Sequence, residues 1–293
     1  MNLFTDKNIK STKIETLGEF GLINHLTKNL SLKNNSSIFG VGDDAAVVDL
    51  GKTYSLVSKD LLVEGIHFDL AYAPLKHLGY KAVSVNVSDI CAMNGNPTQI
   101  IIGLAISNRF TVEAIEELYG GIRLACEHYG VDLVGGDTTS STSGLLISVT
   151  ILGDVQKKDI TYRCGAKKND LVVCTGDLGA AYLGLQLLNR ENEIFKENPK
   201  IQPDLSGYDY LLRRQLKPEA PVKYTEVLKD LKIIPTSMID ISDGLSSEVL
   251  HISKSSNVGI TIHEEKTPID YTAINLANEF NLNPITCALS GGE

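Results

Sequence analysis

No apolar run in the sequence approaches a membrane span. The longest, Ile100 to Ile106, has seven residues and includes a glycine, whereas a spanning helix needs about 20. The N-terminus, Met1-Asn2-Leu3-Phe4-Thr5-Asp6-Lys7, lacks the charged and apolar regions of a secretory signal. No Cys-x-x-Cys pair occurs. The five cysteines, Cys91, Cys126, Cys164, Cys174 and Cys287, are odd in number and widely spaced. They read as reduced, mostly buried thiols in a cytoplasmic protein. The six histidines show no zinc-ligand spacing. Positive charge is in deficit, with 27 basic against 36 acidic residues and a net charge of −9. That argues against nucleic acid or an anionic membrane as partner. What remains is an ordinary globular composition, 43% hydrophobic and 22% charged over 293 residues, enough for two domains with a core each.

The stretch that organises the rest is Gly40-Val41-Gly42-Asp43-Asp44-Ala45-Ala46. A glycine-rich bend leaves backbone N–H groups open to phosphate oxygens, and a carboxylate pair suits a hard cation such as Mg²⁺. Alone it reads equally as a surface turn. Four further acidic stretches alter that balance.

Along the chain, the first dozen residues read as loose. Glu15–Leu30 reads as a helix with Leu22, Leu26 and Leu30 on one face. Ala46–Leu50 and Thr53–Ser58 read as strands. Pro74–Asn94 is the clearest helix, with Pro74 placed as an N1 proline and Gly95 as a C′ glycine. Ala82, Asn86, Asp89 and Met93 share one of its faces. An amide and a carboxylate in an apolar stripe need a partner, or else that face meets water. Thr98–Ile106 reads as a strand, Val112–Tyr129 as a helix, Val131–Val134 as a strand ending in Gly135-Gly136-Asp137-Thr138-Thr139, and Leu145–Leu152 as another strand. This order predicts an α+β arrangement with hairpins. Gly153–Asp159 is a polar stretch suited to a domain boundary. Beyond it, strands are expected at Asp170–Thr175, Ser237–Ile241, Val258–His263 and Ile285–Leu289. Helices are expected at Ala180–Asn189, Tyr208–Leu216, Val222–Leu231, Leu245–Ser253 and Thr272–Phe280, with a loop over 191–207. The chain stops at Ser290-Gly291-Gly292-Glu293, inside what reads as one more glycine-rich acidic turn, so a continuation is expected.

Carboxylates therefore sit at strand ends, at bends or on a buried helix face in five places: Asp43/Asp44, Asp60, Asp89, Asp137 and Asp240/Asp243. Each alone is commonly a cap or turn residue, and Asp243 is placed to be the N-cap of its helix. Together they fit Mg²⁺-dependent phosphoryl transfer, in which the protein positions two substrates and metals neutralise charge.

At this point the chain resembles the thiamine-monophosphate kinase family. That family belongs to a superfamily with aminoimidazole ribonucleotide synthetase, selenophosphate synthetase and a hydrogenase-maturation protein. The matching stretches are Gly42-Asp43-Asp44-Ala45-Ala46, Ser58-Lys59-Asp60 with Gly65-Ile66-His67-Phe68, Lys81 through Asp89, Gly135-Gly136-Asp137-Thr138-Thr139, Arg163-Cys164-Gly165-Ala166, Ile239 through Leu245, and Leu289-Ser290-Gly291-Gly292-Glu293. They run in family order over 15–293. The resemblance implies a two-domain α+β fold, with an N-terminal mixed or antiparallel sheet and a C-terminal α/β sandwich. It divides the chain into a flexible 1–14, an ATP- and Mg-binding dimerisation domain over 15–154, and a second domain over 155–293. It implies that Asp44, Ser58, Asp60, Asp89, Asp137, Asp240 and Asp243 hold several Mg²⁺ ions. Tyr119, Gly136, Asp137, Arg163 and Ser242 would contact ATP, and His67 and Glu293 would face thiamine monophosphate. The implied reaction is direct transfer of the γ-phosphoryl of ATP to thiamine monophosphate, giving thiamine diphosphate, in a homodimer. No covalent nucleophile is expected.

Read by itself, His67 is more readily a structural histidine than a ligand, and Tyr119 reads as core or rim. The chain departs from the family at Lys59, where Thr is usual. Two other readings compete. One is a superfamily enzyme with another substrate; selenophosphate synthetase is disfavoured because no cysteine precedes Cys91. The other is a non-catalytic nucleotide-binding module, against which the complete carboxylate set argues.

Overall fold

The computed structural model describes residues 13–292, so Glu293 and most of the 1–14 stretch lie outside the described residues. The described residues open with a 3₁₀ turn (Ile14–Thr16) and helix α1 (Gly18–Thr27). Strands β1 (Ser37–Phe39), β2 (Ala46–Asp49) and β3 (Thr53–Val63) follow, then α2 (Leu75–Ala92), β4 (Asn96–Ile106), α3 (Val112–Tyr129), β5 (Asp132–Ser140) and β6 (Leu145–Gln156). After residue 156 come α4 (Ala180–Glu197), α5 (Asp209–Leu216), α6 (Val222–Leu231), α7 (Leu245–Ser256), α8 (Tyr271–Glu279) and α9 (Pro284–Ser290).

The strands form one mixed sheet in the order β1-β2-β3-β6-β4-β5. Neighbours are antiparallel except β4 and β5, which are joined through α3 and run parallel. Along β6, buried and half-buried residues alternate from Leu145 to Val155, the two-residue period of a sheet with one covered face. On that face α2 meets β3, β4 and β6, and α3 packs on α2. Val47, Leu56, Ile100, Ile102, Ile147, Val149 and Ile151 from the sheet join Val83, Val87, Ile90, Leu118 and Ile122 from the helices in one core. A second core unites Ala180, Leu183 and Leu187 of α4, Leu211 of α5, Ala273, Leu276 and Ala277 of α8, and Cys287 of α9. The two halves are stitched at Glu219. Its Oε2 accepts from the hydroxyls of Tyr80 (2.7 Å) and Tyr129 (3.0 Å), while Ala220 N–H donates to the Tyr129 oxygen at 2.9 Å.

Several elements differ from the sequence expectation. Strand β3 continues to Val63, carrying Asp60 inside the strand. Strand β5 runs through Gly135-Gly136-Asp137 to Ser140 and does not turn there. Ile285–Leu289 is helical: Asn283 caps α9 by accepting from Thr286 N–H at 3.0 Å, and Pro284 occupies its first turn. Residues 170–175, 237–241 and 258–263 form no ladder among the described residues. Leu171 and Val173 stand 90% and 80% exposed, so no sheet face buries them. The C-terminal half thus contributes its expected helices, with α4 running on to Glu197 into the expected 191–207 loop, and with extended segments in place of the expected strands.

Candidate active site

Helix α2 carries the centre of the site. Its N-cap residue is Pro74, and Leu78, Ala82, Val83, Val87 and Ile90 bury the face toward the sheet. That face also holds Asn86, fully buried, whose Nδ2 donates to Ala82 O at 2.9 Å while Oδ1 finds no partner. The same rotation brings Ser88 and Asp89 to the C-terminal end of the helix, beside β3 and the 237–244 segment. Ser58 Oγ on β3 donates to Asp89 Oδ2 at 2.6 Å, and Ser88 Oγ donates to Asp240 Oδ2 at 2.9 Å. Asp89 therefore does not turn to water.

Beside these lies the Gly42–Ala46 bend. The Asp43 and Asp44 carboxylates are 2% and 1% exposed. Asp43 Oδ1 accepts from Asp44 N–H at 3.0 Å, and Oδ2 from Arg163 N–H at 3.0 Å. The Arg163 guanidinium rests on Asp44 Oδ1, through Nε at 3.2 Å and through Nη2. Asp44 Oδ2 is buried without a partner.

This concentration of buried and half-buried carboxylates shifts their proton affinities. Asp89 is pushed up to about 9, first by burial and then by the charges of Asp240, Asp60 and Asp44. Asp240 is pushed up to about 7 by burial and then by Asp44, with the Ser88 hydrogen bond pulling the other way. Asp43 is raised to about 6 by burial. Burial also raises Asp44, opposed by Arg163, and Asp60, opposed by His67. A chain does not bury this many mutually repelling acids for stability; perturbed carboxylates of this kind mark functional sites.

The set fits a hard divalent cation in type: carboxylate and hydroxyl oxygens, with an orphaned buried oxygen on Asp44. Among the described residues no three His, Cys, Asp or Glu side chains converge closely enough to enclose one ion. The cluster is preset around Arg163 and the two serines.

The remaining expected residues fall in three places. Tyr119 of α3 joins Gly136 and Asp137 of β5 around an open depression of about 570 Å³. There a Cβ on Gly136 would overlap the Ile102 carbonyl oxygen. Asp137 is exposed and accepts from Thr138 N–H at 2.8 Å; it stands apart from the Asp44–Asp89–Asp240 cluster. His67 uses Nδ1 to accept from Val63 N–H at 2.9 Å, and lines a separate cavity of about 330 Å³ with Tyr72, Lys81, Asn189 and Gln215. Ser242 and Asp243 form the exposed turn before α7; its N-cap is Gly244, so Asp243 is not the cap. Glu293 lies outside the described residues, and Gly292 before it packs on the Ser242 carbonyl. Lys59 points away from the cluster, its Nζ donating to Ser148 Oγ at 2.5 Å.

Sequence reasoning missed three participants. Asp43 was seen only as half of a pair, whereas it holds both Asp44 and Arg163. Ser88 and Glu248 act through contacts distant in sequence or through burial, and the one visible signal was their placement next to Asp89 and one turn into α7.

Comparison with known proteins bears on the family of the chain. Residues 42–155 match the family described as AIR synthase related protein, N-terminal domain. The chain is 35% identical over 254 residues to thiamine-monophosphate kinase of Bacillus subtilis (strain 168), covering 86% of this chain and 75% of that protein. It is 35% identical over 281 residues to thiamine-monophosphate kinase of Aquifex aeolicus (strain VF5), covering 96% and 85%. The solved structure of AaThiL complexed with AMPPCP and TMP superposes with a TM-score of 0.83 at 33% identity, over 97% of this chain and 85% of that one.

Proposed function

The chain belongs to the thiamine-monophosphate kinase family, and on that premise we propose how its own residues carry the ATP-dependent phosphorylation of thiamine monophosphate to thiamine diphosphate. The observation that carries the reading is the acidic cluster of buried Asp44 and half-buried Asp43, Asp60, Asp89 and Asp240, with its partnerless Asp44 oxygen.

The acceptor is already an anion, so no general base is needed to make a nucleophile. The difficulty is holding two anions in line. Asp44, Ser58, Asp60, Asp89, Asp137, Asp240 and Asp243 would hold several Mg²⁺ ions, which supply charge neutralisation between the phosphates. The two serines orient Asp89 and Asp240 in advance, which spares reorganisation during transfer. Arg163, now on Asp44, has the planar fork that suits phosphate oxygens, and we assign it to ATP together with Ser242. Tyr119 offers a ring for the adenine, and Gly136 and Asp137 line the same depression. His67 keeps Nε2 free of the Val63 bond, and we assign it, with Glu293, to thiamine monophosphate.

Two further elements belong to the same reading. The sheet face opposite α2 and α3 carries Lys59, Leu61 and Ile101, the last two 48% and 40% exposed, and we assign this face of the 15–154 domain to a homodimer. No described helix is long and apolar enough to cross a membrane, and no disulfide links cysteines among the described residues; a cytoplasmic location accords with that.

The test is to supply the protein with Mg²⁺, ATP and thiamine monophosphate and to follow thiamine diphosphate by chromatography. Product that requires both substrates and Mg²⁺ is expected. ATP binding without product would move the substrate to another member of the superfamily.

A further inference from the structure

We infer that Glu248 is a positioning residue for the Asp240–Gly244 turn: its carboxylate grips the backbone at Asp243 and so aims the Asp243 and Ser242 side chains. The inference rests on the reading of that turn as part of the metal–nucleotide site.

Glu248 lies in the first turns of α7 and is only 5% exposed. Its Oε1 accepts from Asp243 N–H at 3.0 Å. In a capping box, a glutamate reaches back to the N-cap amide and satisfies a free donor. Here the reach is two residues longer, past Gly244, which has no side chain to cap the helix. Glu248 thus ties α7 to the turn itself.

Helix capping alone does not account for a carboxylate at this place. Glu248 is buried within the electrostatic reach of Asp243 and Asp44, with Arg163 as the opposing charge. Burying an acid among acids is unfavourable, and an apolar side chain would pack there more cheaply. What an apolar residue would lose is the hold on Asp243. The other side of the turn is fixed as well. Gly292 packs so tightly on the Ser242 carbonyl oxygen that a Cβ would overlap it, and Ser246 Oγ donates to Leu289 O at 2.6 Å. Asp240 has its own anchor in Ser88. The two carboxylates of the turn are therefore set by separate devices, a side-chain hydrogen bond for Asp240 and a backbone grip for Asp243. Groups that orient ligands in this way are typically worth about 10- to 100-fold in metal affinity or activity.

The experiment compares the full chain with Glu248→Ala and Glu248→Gln by two readouts. The first is amide hydrogen exchange over residues 240–247 without metal or nucleotide, which reports the local hold whatever the substrate proves to be. The second is Mg-ATP affinity by calorimetry. Glu248→Ala is expected to speed exchange in the turn about tenfold or more and to weaken Mg-ATP binding by about 10- to 100-fold. Glu248→Gln keeps an acceptor oxygen and is expected to restore both toward wild type. Unchanged exchange in Glu248→Ala would overturn the inference. So would a Gln variant with normal exchange and Ala-like binding, because the charge and not the grip would then matter. Glu248→Leu, which fills the volume without an acceptor, makes the same comparison if the alanine variant does not fold. Wild-type protein that fails to bind Mg-ATP would count against the enzyme reading, and the exchange result would still stand.

Discussion

Ser88 Oγ and Asp240 Oδ2 meet at 2.9 Å across 152 residues of chain. This bond joins the C-terminal end of α2 to the turn before α7, and so ties the sheet half of the molecule to the helical half at the acidic cluster. Ser88→Ala removes the one hydrogen bond that lowers the proton affinity of Asp240. A buried acceptor that loses its donor costs about 1–3 kcal/mol. Urea unfolding of the metal-free protein is expected to show that loss. A variant as stable as wild type would mean that the bond carries no net free energy.

Asp89→Asn separates catalysis from folding. Asp89 is held protonated at neutral pH by burial and by its acidic neighbours, and an amide is close to the neutral acid in shape. In EDTA the variant is expected to unfold within about 1 kcal/mol of wild type. Thiamine diphosphate formation is expected to fall at least about 10²-fold. Turnover near wild type would remove Asp89 from the cation site.

The metal-free protein should lose stability as pH rises. Asp89, Asp240 and Asp43 have folded-state values of about 9, 7 and 6, each raised from 3.8. Between those limits the folded chain binds more protons than the unfolded one, so stability falls with pH. Their contribution is complete below about pH 4 and is lost as pH rises to about 9. Mg²⁺ competes with these protons. Its stabilising effect should therefore be small near pH 5 and large near pH 9. Melting temperatures with EDTA and with Mg²⁺ across this range check the sign; a Mg²⁺ effect independent of pH would contradict it.

Gly136→Ala sets a Cβ against the Ile102 carbonyl oxygen, a backbone atom that cannot yield without opening the β4–β5 pairing. Overpacking of this kind costs about 1–3 kcal/mol. Lower stability together with weaker ATP binding is expected, since the same strand lines the Tyr119 depression. Weaker binding at unchanged stability would assign Gly136 to nucleotide contact alone.

The fold was legible where its signals are local. Helix α3 matches its expected span because Thr111 caps one end, its side chain accepting from Ala114 N–H, and Gly130 closes the other at φ 65°. Helix α6 matches as well. Helix α2 starts one residue later and ends two residues earlier than the sequence suggests: Pro74 is the N-cap, and Asn94, not Gly95, takes the left-handed conformation at φ 57°. Gly135-Gly136-Asp137 looked like a turn because glycine has two uses, and here it allows close approach inside a strand. The apolar run Ile285–Leu289 suits a strand or a helix equally by pattern, and the Asn283-Pro284 start was the overlooked cue. The strands expected after residue 156 had the right side chains and no partner to pair with among the described residues.

The site divides in the same way. Carboxylates in glycine-rich turns announced themselves. Their anchors, Ser58 to Asp89, Ser88 to Asp240 and Arg163 to Asp44, span 31, 152 and 119 residues, and no local pattern encodes such pairings. Asp137 shows the converse, a residue singled out by its motif that stands away from the cluster within one chain.

The position of β6 has a consequence for how the protein comes into being. It is last of the six strands in sequence and lies between β3 and β4 in space. Thr53 pairs with Gln156 and Val63 with Leu146 on one side, while Ile106 pairs with Leu145 on the other. A nascent chain can assemble β1-β2-β3 and the β4-α3-β5 unit, but each leaves a long unpaired edge until residue 156 clears the ribosome. Those edges are what pair wrongly with other chains during slow, non-local folding. Synthesis from residue 63 to residue 156 is thus the interval in which those edges stand without the strand that closes them.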